Sequence, residues 1–468
     1  MITRRTSAAL AAATSLALGL SAPVTAEDRD PVEGLRAEVA VLRAQNVELA
    51  ARLDAREETW LDSCRTEKVR GIARDVLLDS RQRTSLRDSG AMAGYTSGKG
   101  FMLASQDGGF TMRISGQLQT RWVMSHVGDA STADSNQTDW GFQIRRAKVK
   151  FKGNVVDKTW RYTINGAFGS SGAFAFEEAM ITHDVNDNLS VSIGQYKAPW
   201  TREELVSSSR QLAVERSLVN EYFNADRGVG LDVKYVTDDW SLQAAYNNGV
   251  KTAYTGSIGR NTSSANNPTK WAVQGRFQYK LSGDWVDFKS FTSSLDDDEA
   301  VMIGFAGMGQ SWNGQLDGAA SDAASVWGVT ADLSAKFAGI SLFGAVVYQS
   351  FDSGTDTDNA NPWGVVAQAG YSLTEQWEVF GRFSWANNKG VVDANAFGAN
   401  PVQGEAKLAI ITIGANHFIN SKVKFTADWG LNLNDSLEGD WVSQTSNGWR
   451  ATDESDEWVL RAQLQLLF

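Results

Sequence analysis

From Phe110 to the C-terminus, apolar and polar residues alternate in runs broken by polar, glycine-rich stretches. The last run, Glu457–Phe468, is the clearest. Trp458, Leu460, Ala462, Leu464, Leu466 and Phe468 share one face of a strand, and Arg461, Gln463 and Gln465 share the other. A period of two with one apolar and one polar face suits a strand between lipid and water, and a terminal aromatic suits the end of an outer-membrane barrel. The same alternation predicts strands at Phe110–Ser125, Gly141–Gly153, Thr159–Phe168, Phe174–Asp184, Leu189–Lys197, Gly228–Thr237, Trp240–Asn248 and Lys270–Leu281. It continues at Ala300–Ser311, Val326–Phe337, Ile340–Phe351, Trp363–Ser372, Trp377–Asn387, Lys407–Ile419, Lys422–Asn434 and Glu457–Phe468. These sixteen make the even number that a bacterial barrel requires.

The connections alternate between short ones, such as Asp238–Asp239 and Ala338–Gly339, and long ones, such as Ala198–Arg227 and Asp435–Ser455. Periplasmic turns and extracellular loops differ in this way. Asp284–Glu299 stands out as too long for its turn position. Tryptophans near strand ends, among them Trp122, Trp140, Trp160, Trp327, Trp377 and Trp458, suit interfacial girdles.

The N-terminal part has a different period. Ser7–Leu20 is apolar, follows Arg4 and Arg5, and precedes Val24-Thr25-Ala26. That pattern predicts a secretory signal peptide over residues 1–26. Val32, Val39, Asn46, Leu53 and Trp60 recur every seven residues, with Leu35, Leu42 and Leu49 three places later. These are the a and d positions of a coiled coil, with Asn46 suited to fixing register. A single amphipathic helix lying on another surface is the alternative. Residues 27–90 are expected to form this periplasmic coiled-coil and linker segment, and residues 108–468 the barrel.

Composition agrees with strands rather than spanning helices. The chain is 42% hydrophobic, and no later apolar run reaches the about 20 residues that a helix needs to cross a bilayer. One cysteine, Cys64, excludes an intrachain disulfide, and the three histidines (His126, His183, His417) lie far apart in sequence. A catalytic or metal site therefore has poor raw material; no enzyme, no cofactor and no metal are expected. The formal charge of −11 bears on the whole chain, not on one surface.

Alternation allows each strand's inner face to be read. Arg113, Gln117, Gln119 and Arg121 fall on the polar face of the first strand. In RRAKVKFK, the residues Arg146, Lys148, Lys150 and Lys152 form an inward basic ladder, and the parity breaks near Ile144–Arg145, where a bulge or slip is expected. Arg161, Lys234, Arg276, Arg382, Lys424 and Arg461 also face inward, against the acidic Glu178, Asp232, Asp332 and Asp428. A basic lining selects anions. A merely wet lumen with mixed charge is the other reading. The third outer loop, Ala198–Arg227, has a partly helical pattern with a capping-box flavour at Thr201–Glu204. Folded inward it would present Arg202, Arg210, Arg216 and Arg227, balanced by Glu203, Glu204, Glu215 and Glu221; folded outward it would cap the barrel.

The stretch FQIRRAKVKFKG, FEEAMITHDV, LSVSIGQYKAPWTREEL, VERSLVNEYF and DRGVGLDV, within Phe142–Thr237, resembles the phosphate-selective porin O and P family. The resemblance implies a trimeric, sixteen-stranded outer-membrane porin with an inward-folded third loop and a lumen rich in Arg and Lys that conducts phosphate or polyphosphate. Lys197 matches the motif lysine, and Arg216 and Arg227 match the motif arginines.

The expected molecule is an all-β transmembrane barrel in the bacterial outer membrane with a periplasmic stem. Its expected function is passive diffusion with an anion-leaning lumen. The expected partners are outer-membrane lipid, small anions such as phosphate, two further copies in a homotrimer and peptidoglycan, with no nucleic acid. The rival is a structural protein whose barrel anchors the coiled coil to the cell wall.

Overall fold

The computed structural model describes residues 40–41, 43–48, 91–96, 100–128, 138–169, 172–252, 267–313, 324–352, 360–389, 405–434, 441, 447–450 and 456–468. The chain divides into two compact units, Met1–Arg81 and Gln82–Phe468. In the first, residues 40–41 and 43–48 are helical and exposed. The signal peptide and most heptad positions of the expected stem lie outside the described residues.

The second unit begins with a short hairpin, β1 (Ala91–Thr96) and β2 (Gly100–Ser105). Sixteen longer strands follow. They are β3 (Thr111–His126), β4 (Thr138–Asn154), β5 (Trp160–Phe168), β6 (Phe174–Asp184), β7 (Leu189–Lys197), β8 (Arg227–Val236), β9 (Trp240–Asn247) and β10 (Thr269–Ser282). The rest are β11 (Ala300–Trp312), β12 (Ala324–Phe337), β13 (Ile340–Asp352), β14 (Trp363–Ser372), β15 (Trp377–Lys389), β16 (Glu405–Phe418), β17 (Val423–Asn432) and β18 (Trp458–Leu467). Each pairs antiparallel with its sequence neighbour. β18 returns to β3, with Trp458 opposite His126 and Leu467 opposite Gln117, so a sixteen-stranded barrel closes. Closure removes the sheet edges, which a bilayer would leave without hydrogen-bond partners.

The hairpin was not foreseen. β2 pairs Phe101–Ala104 with Thr111–Ile114 on the same edge of β3 that β18 occupies higher up. It extends the sheet past the C-terminus at the short-turn end.

The outer face is apolar. Phe142, Ile144, Ile181, Ile193, Phe305, Val329, Leu333, Ile413 and Leu464 are all exposed there. Aromatic rings collect at strand ends, as an interface favours. Each of the three histidines stacks on a tryptophan directly opposite in register: His183 on Trp160 (4.3 Å between centroids), His417 on Trp377 (4.4 Å) and His126 on Trp458 (5.2 Å).

Register shifts interrupt the pairing at four places among the described residues: two lie in β10, and two bulges, in β4 and β6, fall on the charged part of the wall. Gln119 faces Arg146 while Thr120 faces Ile144, so Arg145 is the extra residue in β4. Asn165 faces Glu178 while Gly166 faces Phe176, so Glu177 is the extra residue in β6. A bulge turns two consecutive side chains toward the same face of the sheet. The first coincides with the parity break in the sequence.

Candidate functional site

The β7–β8 connection, residues 198–226, sits against the inner wall. It contains two short helices, α1 (Arg202–Leu205) and α2 (Leu218–Phe223), and a 3-10 turn at Ser208–Arg210. The expected cap at Thr201 does not form; its hydroxyl donates to Asn220 Oδ1 (2.8 Å) instead. α2 is capped by Ser217, whose side chain accepts from the Asn220 amide and donates to Glu203 (2.6 Å). A loop with so little helix leaves backbone carbonyls without partners, and buried carbonyls must be paired. Side chains of the barrel wall and of the loop itself supply them.

Eight wall residues donate to loop carbonyls among the described residues; Lys197, at the end of β7, reaches Glu204 (2.6 Å). Gln119 reaches Ser208 (3.4 Å), Gln465 reaches Ser209 (3.1 Å), Lys424 reaches Gln211 (2.9 Å) and Asn416 reaches Leu212 (3.0 Å). Arg382 reaches Glu215 (2.8 Å), Gln349 reaches Phe223 (3.3 Å) and Arg276 reaches Trp200 (2.9 Å). Asp428 in turn accepts from the Val214 amide (2.8 Å). Within the loop, Arg216 donates to the carbonyls of Glu203, Glu204 and Val206.

Apolar contact fixes which side of the barrel carries the loop. Trp200, Leu212, Val219 and Phe223 form one buried cluster with the inward residues Phe343, Val347, Val366 and Phe380. These wall residues lie on β13–β15, so that arc carries an apolar patch on its inner face as well as an apolar outer face. The opposite arc, β3–β8, keeps its charges. Between it and the loop lies a cavity of about 1070 Å³, lined among the described residues by twelve Lys or Arg and six Asp or Glu.

The two bulges build the charge pattern of this arc. Arg145 and Arg146 both reach Glu215 of the loop, at 2.5 and 2.8 Å, and Arg121 joins them at 2.5 Å. Glu177 pairs with Lys148 (2.6 Å) and Arg227 (3.5 Å), and Glu178 pairs with Lys150 (3.1 Å). Glu204 faces Arg216 (3.2 Å), Lys197 (3.7 Å) and Arg227 (3.8 Å). Burial acts to raise the Glu204 pKa, but Arg216, Lys197 and Arg227 outweigh it and hold the carboxyl at about 2.

Of the sixteen basic residues singled out from sequence, eight line the cavity: Arg113, Arg146, Lys148, Lys150, Lys197, Arg210, Arg216 and Arg227. The other eight lie elsewhere. Arg121 is buried on Glu215, and Arg276, Arg382, Lys424 and Arg461 anchor the loop or its acidic contacts, Arg461 through Asp428 (2.7 Å). Arg276 also holds Asp332 at 2.8 Å across Gly304, where a Cβ would stand 2.4 Å from the guanidinium; only glycine leaves that room. Arg161 pairs with Asp184 at the short-turn end, Lys234 is half-buried on β8, and Arg202 is buried against Phe288. The sequence reading missed Arg145 and Glu177 as inward residues. The signal for both was a doublet of like residues, Arg145-Arg146 and Glu177-Glu178, inside an alternating strand.

A family model described as phosphate-selective porin O and P matches residues 117–465. The chain belongs to that family. The structure of this porin is similar to two solved barrels at a TM-score of 0.50. One is the OmpT outer-membrane protein of Vibrio cholerae lacking its loop L8, at 10% identity over 77% of this chain and 100% of that one. The other is an anion-selective porin from Comamonas acidovorans, at 13% identity over 77% of this chain and 100% of that one. At such identities the likeness concerns the fold. No curated protein matches the sequence. Family and fold together make this porin an outer-membrane channel rather than an enzyme.

Proposed function

We propose that this porin is a passive diffusion channel that favours anions, and that phosphate is among the solutes it passes. The observation that carries the reading is the composition of the cavity wall, with twice as many cations as carboxylates among the described residues. Arg113, Lys152 and Arg210 line it with no carboxylate within ion-pair distance among the described residues. Cations that are not neutralised attract anions into a passage with low-dielectric walls, and Arg offers a planar fork to phosphate oxygens. The open space beside the loop favours a channel over a barrel that serves only as an anchor.

The finer assignments belong to the same proposal. Residues 1–26 are a signal peptide, residues 27–90 a periplasmic coiled-coil stem, and residues 108–468 the barrel. The loop 198–226 narrows the passage. The molecule assembles as a homotrimer, and its stem is placed to meet peptidoglycan.

Reversal potentials in a salt gradient across a planar bilayer test the selectivity. The wild type is expected to prefer chloride to potassium, and added phosphate is expected to reduce the chloride current by competing for the lumen. Replacing Arg113, Lys152 and Arg210 together with Gln is expected to move the reversal potential toward cations. An unchanged potential would place these side chains outside the conduction path and remove the basis for anion preference.

A further inference from the structure

The β10–β11 connection, residues 283–299, has seventeen residues, where the other six links on the short-turn side of the barrel have two to five. It does not hang free. Phe288 and Phe291 are only 3% and 4% exposed. Phe288 packs with Ala300 and Met302 at the base of β11, and Phe291 packs on Phe343 of β13 with ring centroids 4.7 Å apart. Ser372 donates to the Ser293 carbonyl at 2.6 Å. The segment is therefore fixed to the inner wall at several points before it meets the loop.

It meets the loop at two places. The Phe291 amide donates to the Arg210 carbonyl (3.1 Å). Arg202, within α1, donates to the Phe288 carbonyl and lies 5.9 Å from the centre of the Phe291 ring. Arg202 is buried and makes no ion pair among the described residues. A buried guanidinium without a carboxylate is costly, and a carbonyl together with an aromatic face is a partial substitute. Such a cation is hard to account for as a lumen charge, because it does not line the cavity.

We infer that residues 283–299 are an internal strut that holds the loop 198–226 from the short-turn side, with Arg202 as its positioning residue. The strut fixes the α1 end of the loop and so sets the width of the passage along β3–β8. Short turns of outer-membrane barrels face the periplasm, which gives this porin a periplasmic element that controls a loop reached from outside. The inference rests on the channel reading above.

The test uses the full chain in planar bilayers, with R202Q, R202K and F291A. The wild type is expected to give a quiet open current. R202Q is expected to raise the frequency of partial closures about tenfold, the factor that follows from losing one hydrogen bond of a charged group. Its reversal potential is expected to stay at the wild-type value, because Arg202 is not in the lumen wall. R202K is expected to restore part of the quiet state. F291A removes only a ring and is expected to raise closures in the same direction; it carries the test if R202Q does not assemble. Quiet currents in both R202Q and F291A overturn the strut. A shifted reversal potential in R202Q with wild-type noise also overturns it, because Arg202 would then line the path. A wild type without conductance defeats the channel reading itself, a result distinct from either.

Discussion

Gly116 and Phe468 stand opposite each other across the closing seam, each donating its amide hydrogen to the other's carbonyl, at 2.8 and 3.1 Å. The Phe468 ring lies over Gly116, where an added Cβ would come within 2.1 Å of its tip. At the other end of the barrel wall the Phe174 ring likewise lies over Gly166, again at 2.1 Å, although its register partner is Phe168. A ring laid over a glycine covers backbone that would otherwise face lipid without a side chain.

This seam predicts the effect of two changes. Gly116→Val forces the ring aside and is expected to cost about 1–3 kcal/mol by overpacking. Deleting Phe468 removes both hydrogen bonds and the cover, and is expected to impair barrel closure more strongly. The temperature at which the folded band converts to the unfolded one on gels checks both. Unchanged conversion in the deletion variant would mean that the barrel closes without its last residue.

Glu215 is the acceptor for three arginines, Arg121, Arg145 and Arg146, and is itself buried. Replacing it with Gln leaves three buried or half-buried cations without their counter-charge. Breaking a buried pair from one side costs about 3–5 kcal/mol. Glu215→Gln is therefore expected to lower the thermal stability of the barrel and, in the fraction that folds, to shift the reversal potential further toward anions. A shift toward cations would contradict the placement of these arginines beside the conduction path.

Glu204 gives a pH dependence. Its pKa in the folded porin is about 2, against 4.5 for an ordinary glutamate, because Arg216, Lys197 and Arg227 overcome the effect of burial. A carboxyl with a lowered pKa stabilises the fold fully above its unfolded value and loses that contribution as pH falls toward the folded one. The stability difference between wild type and Glu204→Gln is expected to be largest at pH 7, to shrink below about pH 4.5, and to approach its minimum near pH 2. Melting of both proteins at pH 7, 4 and 2.5 measures it. A difference that does not change with pH would mean that Glu204 carries no ion pair in the membrane-embedded porin.

Much of this architecture was legible in the sequence, for a physical reason. A strand between lipid and water must alternate, so all sixteen barrel strands stand out. The β1–β2 hairpin did not, because Ala91–Thr96 and Gly100–Ser105 are short and lie below the region where alternation is enforced. The lumen was only half legible. Phe343, Val347, Val366 and Phe380 face inward yet are apolar, because a loop rather than water covers them. No single-strand pattern reveals what packs on its inner face. For the same reason Arg276, Arg382 and Lys424 read as lumen charges, whereas each is spent on a loop carbonyl.

The heptads of the N-terminal segment carry a separate prediction. If Val32, Val39 and Asn46 are a positions of a parallel, in-register coiled coil, identical positions of neighbouring subunits meet in the seam. Val39→Cys with Cys64→Ser is then expected to crosslink subunits on oxidation. Four heptads are marginal alone, but in the proposed homotrimer the barrels would raise the local concentration of the stems. A product that stays monomeric under oxidation would reject the parallel arrangement.

Arg145 provides the sharpest test of how the lumen charge is built. It is the inserted residue of a bulge, with Arg146 opposite Gln119 and Ile144 opposite Thr120. Deleting Arg145 outright should therefore restore plain alternation rather than shift the register. Arg146 keeps its inward place, and Ile144, Phe142 and Trp140 keep theirs on the lipid face, where they are 68%, 82% and 68% exposed. Deleting an ordinary strand residue would instead turn the whole outer half of β4 inside out. The deletion variant is expected to assemble, and deletion of Ile144 with Arg145 retained is expected to assemble poorly, since an arginine would then take a lipid-facing place. The assembled variant has one fewer cation beside Glu215, and its reversal potential is expected to move toward cations. Failure of the Arg145 deletion to assemble, with the Ile144 deletion assembling normally, would show that the extra residue is not where the pairing places it.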